Sequence, residues 1–254
     1  MLATSLNGLI GHSALIVGLV AALFGALALG FATITGDARL ARSAKNYAWL
    51  AAAASTAAIA LMLNALLTYD FDLAYVQQVG SRSTPMLFNV TALWSALEGS
   101  ILLWLATLGG YTALIMWRYR SRLDDPLVAW AVVVMFLVTA FFFFLAFGPI
   151  DVFATGVPGK TDGPGPNPLL QNHILVMFHP PILYLGYVGF TVPFAFALAA
   201  LITGRVGEGW LMETRRWALF AWGLLTMGVI LGGWWSYEVL GWSGVWAWDP
   251  VENA

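Results

Sequence analysis

The chain is predicted to be an all-α polytopic membrane protein with about six transmembrane helices and outward-facing loops, on three observations. Sixty per cent of its 254 residues are hydrophobic. Only 9% are charged, whereas a soluble domain carries roughly 25%. Apolar stretches close to the about 20 residues that a bilayer core demands recur six times along it. The net charge of −2 gives no basis for nucleic-acid binding. Cysteine is absent, which excludes disulfides, thiolate metal sites and a cysteine nucleophile in this chain.

The first stretch runs from Gly8 to Ile34. It is too long for a signal peptide and no Lys or Arg precedes it, so it reads as a retained span. His12 within it is an isolated polar group, expected to be packed and hydrogen-bonded inside the protein. Span two covers Tyr47 to Leu67, and the following residues 70–95 mix polar and apolar side chains as an interfacial helix would. Span three runs from Gly99 to Trp117, with Glu98 at its mouth as a snorkelling residue or a polar contact to a ligand. Span four is Leu127 to Phe147. Residues 148–168 hold five prolines and five glycines, which forbids regular structure and predicts an exposed linker or a lid. Spans five and six are Ile182 to Ile202 and Trp217 to Trp235. No repeat marks the chain as two inverted transporter halves.

Charge then orients the spans. Arg39, Arg42 and Lys45 follow span one, Arg118, Arg120 and Arg122 follow span three, and Arg205, Arg215 and Arg216 follow span five. Nine of the eleven basic residues therefore share one side, which the positive-inside rule assigns to the cytoplasm. The N-terminus, the 68–98 and 148–173 loops and the segment after span six are expected to face outward.

That last segment, 231–254, places Trp234, Trp235, Trp242, Trp246 and Trp248 within fifteen residues free of Lys and Arg. Such a run suits a flat conjugated ligand, because each indole offers a large apolar face for stacking. An aromatic belt at the membrane interface is the competing reading, although a belt does not call for so many indoles interleaved with glycine. His179 lies at the outward mouth of span five, in Val176-Met-Phe-His-Pro-Pro-Ile182. Its two following prolines are expected to restrict its backbone to an extended or turn conformation and to open the next helix. His173 reads as a solvated loop histidine. An imidazole at the same depth as the tryptophans suits haem, with iron taking the imidazole and the indoles covering the macrocycle. A quinone is the alternative, but it needs no axial histidine.

Three motifs carry a family resemblance. Gly241-Trp-Ser-Gly-Val-Trp-Ala-Trp-Asp-Pro-Val-Glu-Asn-Ala254 resembles the WWD signature of haem-handling membrane proteins. His179-Pro-Pro-Ile-Leu-Tyr-Leu-Gly-Tyr-Val-Gly-Phe190 and Trp94-Ser-Ala-Leu-Glu-Gly-Ser-Ile-Leu-Leu-Trp104 are similar to the CcmF type of cytochrome c-type biogenesis proteins or its nitrite-reductase-associated relative. The resemblance runs from about Asp37 to Ala254, with Ser243 standing where glycine is usual.

The resemblance implies a haem lyase of the bacterial cytoplasmic (inner) membrane. It would attach haem to the Cys-X-X-Cys-His motif of apocytochrome c on the periplasmic side. It implies His179 as an axial ligand of substrate haem b, with Trp235, Trp242, Trp246 and Trp248 around the macrocycle. Its partners would be apocytochrome c, a haem-carrying chaperone and thiol-handling subunits. Arg82 and Lys160 are the two cations on the outer side and are candidates for the haem propionates. Asp249 and Glu252 read as the N-cap and capping-box carboxylate of a further helix, or as proton donors for the vinyl carbon. In the family, a second outward histidine and the ligands of a transmembrane b haem lie beyond the Trp motif. Residues 1–254 are accordingly expected to be a single transmembrane domain that forms an N-terminal fragment. A haem exporter or chaperone without covalent chemistry is the second reading, and a quinone-linked or solute transporter the third.

The charge bias predicts the labelling pattern of the otherwise cysteine-free chain. In intact spheroplasts Gly159→Cys should react with a membrane-impermeant thiol reagent, and Ser121→Cys should react only after lysis. The reverse pattern would place the Trp-rich segment in the cytoplasm.

Overall fold

A computed structural model of the chain describes residues 5–168, 170, 173–207 and 209–239. Six helical stretches are long and apolar enough to cross a membrane. In order, the elements are α1 (Leu6–Thr35), α2 (Ala38–Leu67), α3 (Ala74–Val79), α4 (Met86–Thr91), α5 (Leu97–Arg118), α6 (Pro126–Phe147), α7 (Leu175–Gly189), α8 (Thr191–Thr203) and α9 (Gly209–Val239). Asp37 and Asp125 cap α2 and α6, and Pro126 at the first position of α6 wastes no donor. Gly36 turns the chain between α1 and α2 in the left-handed region, with φ 75°.

The spans form a ring in which α1 packs on α2 and α6, α2 on α5, α5 on α7, α7 on α9, and α8 on α6 and α9, while α5 also touches α6 across the middle. Apolar pairing gives little drive between helices in lipid, so close approach has to come from small residues. Buried Ala44, Ala48, Ala51, Ala58 and Ala65 provide it on α2. On α1, Gly11, Gly18 and Gly25 recur every seventh residue and receive the rings of Phe153, Phe143 and Phe136. A Cβ on Gly25 would lie 2.5 Å from the Phe136 ring. Thr112 and Thr139 share a buried hydrogen bond of 2.9 Å between α5 and α6.

Residues 70–95 are not one interfacial helix. They fold into α3, α4 and a 3₁₀ turn at Ala92–Trp94, with Tyr75, Val76 and Val79 buried beneath. Burial, and behind it the nearby Glu98, push the Tyr75 phenol above its ordinary range, so its hydroxyl stays a donor to the carbonyls of Ala92 and Leu93. The Pro/Gly loop has no helix of its own, as its composition requires, but it is stitched to α3 rather than left as a free linker. Buried Gln77 donates through Nε2 to the carbonyls of Phe71 and Val157, both at 2.7 Å, and accepts from Val157 N at 2.9 Å. Leu73 and Thr155 form an antiparallel bridge. The two loops thus make one cap at the end of the bundle opposite most of the arginines.

Span five begins earlier than its prolines suggest. α7 starts at Leu175 and carries Pro180 and Pro181 inside it, so the prolines do not open the helix. Span six likewise runs from Gly209 to Val239, longer at both ends than its apolar core. The apolar window missed these turns because polar and proline residues lower hydropathy without preventing helix in a packed setting.

At the rim of the cap, Asp162 accepts from the backbone N–H of Arg82 at 3.0 Å and of Gly163 at 2.9 Å, which holds its carboxyl below the usual carboxylate range. A depressed pKa makes this contribution present above the ordinary carboxylate pKa and lost as pH falls through the folded one. Asp162→Ala should therefore increase limited proteolysis across residues 156–165 at neutral pH. The unaltered chain should show comparable cleavage only on acidification below about pH 4.

Candidate functional site

The site is built where α7 crosses α9. Gly186 of α7 meets the backbone of Leu225, and Gly228 of α9 meets Leu183, whose Cα would lie 2.7 Å from a Cβ on that glycine. Gly228 and Gly232 are the Gly-x-x-x-Gly pair that lets two membrane helices approach backbone to backbone. That spacing is a helix-pairing signal in the sequence itself, placed just before the tryptophans.

His179 projects from α7 into this crossing. Its Nδ1 lies 2.8 Å from the carbonyl oxygen of Gly228. A carbonyl can only accept, so Nδ1 carries the proton and Nε2 keeps its lone pair. The imidazole lies over Gly232, where a Cβ would come within 2.5 Å of Cε1. Its other neighbour is the Trp235 indole, nearly parallel at 11° with centroids 6.3 Å apart. The Trp235 Nε1 is buried and has no hydrogen-bond partner among the described residues. A histidine whose second nitrogen is fixed by a backbone carbonyl is the arrangement that favours metal ligation, so the donor set fits haem iron approaching Nε2.

The structure therefore brings together His179 of the fifth span and Trp235 of the sixth. Trp242, Trp246, Trp248, Asp249 and Glu252 lie outside the described residues. Arg82 sits in the cap, where its Nε donates to the Thr161 carbonyl at 3.1 Å and its guanidinium lies over Tyr69 and Phe71 at 5.0 and 5.6 Å from the ring centroids. Lys160 donates to the Gln77 carbonyl at 3.1 Å. Glu98 has one buried oxygen, Oε2, without a hydrogen-bond partner among the described residues.

The other histidines divide. His12 bonds the Gly8 carbonyl at 3.1 Å and Asp151 at 2.6 Å, beside Phe147 and Phe153, in keeping with a packed histidine. His173 is not simply solvated. Its Nδ1 accepts from Leu175 N at 3.3 Å, which leaves Nε2 to donate to Glu238 at 2.6 Å. Trp234 donates to the same carboxylate. The start of α7 is thereby tied to the end of α9 through a pair 65 residues apart, which no local pattern announces.

The crossing predicts a difference between two glycines of α9. Gly232→Ala should force the His179 ring off Gly228 and lower thermal stability by about 1–3 kcal/mol. Gly223→Ala, which meets nothing within 4 Å, should be neutral or slightly stabilising. Thermal unfolding in detergent, followed by near-ultraviolet circular dichroism, separates them.

The geometry has counterparts. A family model described as cytochrome C assembly protein matches residues 94–254. Among curated relatives, the cytochrome c-type biogenesis protein CcmF of Escherichia coli (strain K12) is 41% identical over 221 residues, covering 86% of this chain and 34% of that protein. CcmF of Pseudomonas aeruginosa is 39% identical over 246 residues, covering 96% of this chain and 37% of that protein. The solved structure of a protein described as cytochrome c heme lyase CcmF superposes with a TM-score of 0.82 at 39% identity, covering 99% of this chain and 40% of that chain. The chain thus spans a little over a third of the length of the relatives it matches.

Proposed function

The chain belongs to the cytochrome c assembly protein family, and from that premise we propose that it holds substrate haem for a haem lyase, with the Nε2 of His179 as an axial ligand. The observation that carries this reading is the Gly228 carbonyl on Nδ1, which leaves Nε2 as the nitrogen with a lone pair to offer. Trp235 offers a parallel ring beside the imidazole. Trp242, Trp246 and Trp248 extend the indole surface in sequence, and Arg82 with Lys160 supplies the positive charge of the cap for propionates. The relatives' names refer to cytochrome c biogenesis and, for the solved structure, to haem lyase.

In the proposed reaction each haem vinyl group takes up one thiol of the Cys-X-X-Cys-His motif in apocytochrome c. The S–H bond and the vinyl π bond break, and one S–C and one C–H bond form, so there is no net oxidation. A thiolate attacking carbon requires a proton for the adjacent carbon, and Asp249 or Glu252 is the proposed source. The chain would lie in the bacterial cytoplasmic membrane with its cap and Trp-rich segment periplasmic, which follows from the arginine and lysine distribution. A haem-carrying chaperone would deliver the substrate, and thiol-handling subunits would keep the apocytochrome reduced.

Haemin titration of the purified protein tests the ligand. His179→Ala should weaken binding by about tenfold or more, the equivalent of at least 1.4 kcal/mol, and shift the Soret band. Free imidazole should restore part of the signal in His179→Gly. Haemin binding that is unchanged in His179→Ala would remove this residue from the site. Haem that leaves non-covalently on a carrier, with no covalent cytochrome formed, would favour a haem exporter.

A further inference from the structure

Pro180 stands inside α7 and has no N–H, so the carbonyl four residues earlier, that of Val176, has no helical donor. A polar backbone group left unpaired at membrane depth is strongly unfavourable. The Val176 carbonyl is not left unpaired. The indole Nε1 of Trp94 donates to it at 2.8 Å, across 82 residues of chain. Trp94 is itself held on two sides. It ends the 3₁₀ turn whose Ala92 and Leu93 carbonyls accept from the buried Tyr75 hydroxyl, and its own carbonyl accepts from Ser100 at 3.2 Å.

Val176 and His179 are three residues apart and occupy the same face of one helical turn. We propose that Trp94 is a positioning residue for the haem site: its indole N–H replaces the amide missing at Pro180 and fixes the turn that carries His179 to the cap. Gly228 sets the tautomer and rotation of the ring, and Trp94 sets the height of its backbone. This inference rests on His179 being the haem ligand. The indole is consequently a link through which movement of the cap reaches the imidazole.

The test uses Trp94→Phe, which keeps an aromatic ring and removes only the donor, alone and combined with Pro180→Ala, which returns a backbone N–H to the Val176 carbonyl. Haemin affinity and Soret position are read in the unaltered protein and the three variants. Trp94→Phe should weaken haemin binding by about tenfold, the loss expected for one hydrogen bond. In the Pro180→Ala background the same change should cost less than about twofold. An equal loss in both backgrounds, or none in either, overturns the proposal, because ring packing rather than donation would then be at work.

Amide hydrogen exchange across residues 175–185 is measured on the same four proteins and does not depend on haem. Faster exchange in Trp94→Phe, restored by Pro180→Ala, supports the positioning role, and unchanged exchange overturns it. If His179→Ala binds haemin as the unaltered protein does, the ligand assignment fails. The exchange result then decides independently whether Trp94 fixes this turn.

Discussion

The hydrogen bond from His179 Nδ1 to the Gly228 carbonyl is the contact on which the site depends, and it imposes conditions on both helices that make it. A helical carbonyl already serves its own ladder and has one further lone pair to offer. To reach it, an imidazole must lie against the helix backbone, which is possible only where the facing residue has no Cβ. Gly232 meets that condition, one turn beyond Gly228. Gly228 also lets the α9 backbone come down on Leu183 of α7. Helix pairing and imidazole orientation are thus one constraint, and a side chain added at this seam disturbs both.

The cap imposes a second order of constraint. Its loops cross at Gln77, a buried amide that satisfies two carbonyls and one N–H of strands of chain far apart in sequence. A Cβ on Gly156 would clash with Gln77 Nε2, and one on Gly163 would lie 2.7 Å from the Gln77 carbonyl oxygen. The glycines of the Pro/Gly loop therefore permit close packing as much as they permit turning. A loop of this composition would otherwise have no means of becoming ordered, because its prolines cannot donate and its glycines lose the most entropy on folding.

A haem lyase reading places different demands on these parts. Ligation requires an imidazole of fixed tautomer, which the α7–α9 crossing supplies. Stacking requires broad indole faces next to it, and Trp235 begins that surface. The cap cation proposed for the propionates, Arg82, is shared among the Thr161 carbonyl and two aromatic rings. The basic end of the bundle is locked instead by Arg122 and Arg205 around Asp125 and Glu213, a network that joins the α5–α6 turn to the beginning of α9.

The amino-acid sequence by itself determined the all-α membrane class and the six spans, because hydropathy is additive along a chain and needs no partner to be read. It also singled out His179 and the indoles, since their residue types carry the chemistry wherever they fold. It did not determine where α7 begins: Pro180 predicts a boundary from local sterics, yet the helix runs through it, and the Val176 carbonyl that loses its amide donor there accepts from Trp94 of the cap. It did not show that the Pro/Gly loop is stitched to α3, that His173 is paired with Glu238, or that one nitrogen of His179 is already engaged. Each of these is a contact between residues distant in sequence. Local pattern reports what a residue can do, whereas the tertiary structure decides which of its donors and acceptors are left to do it.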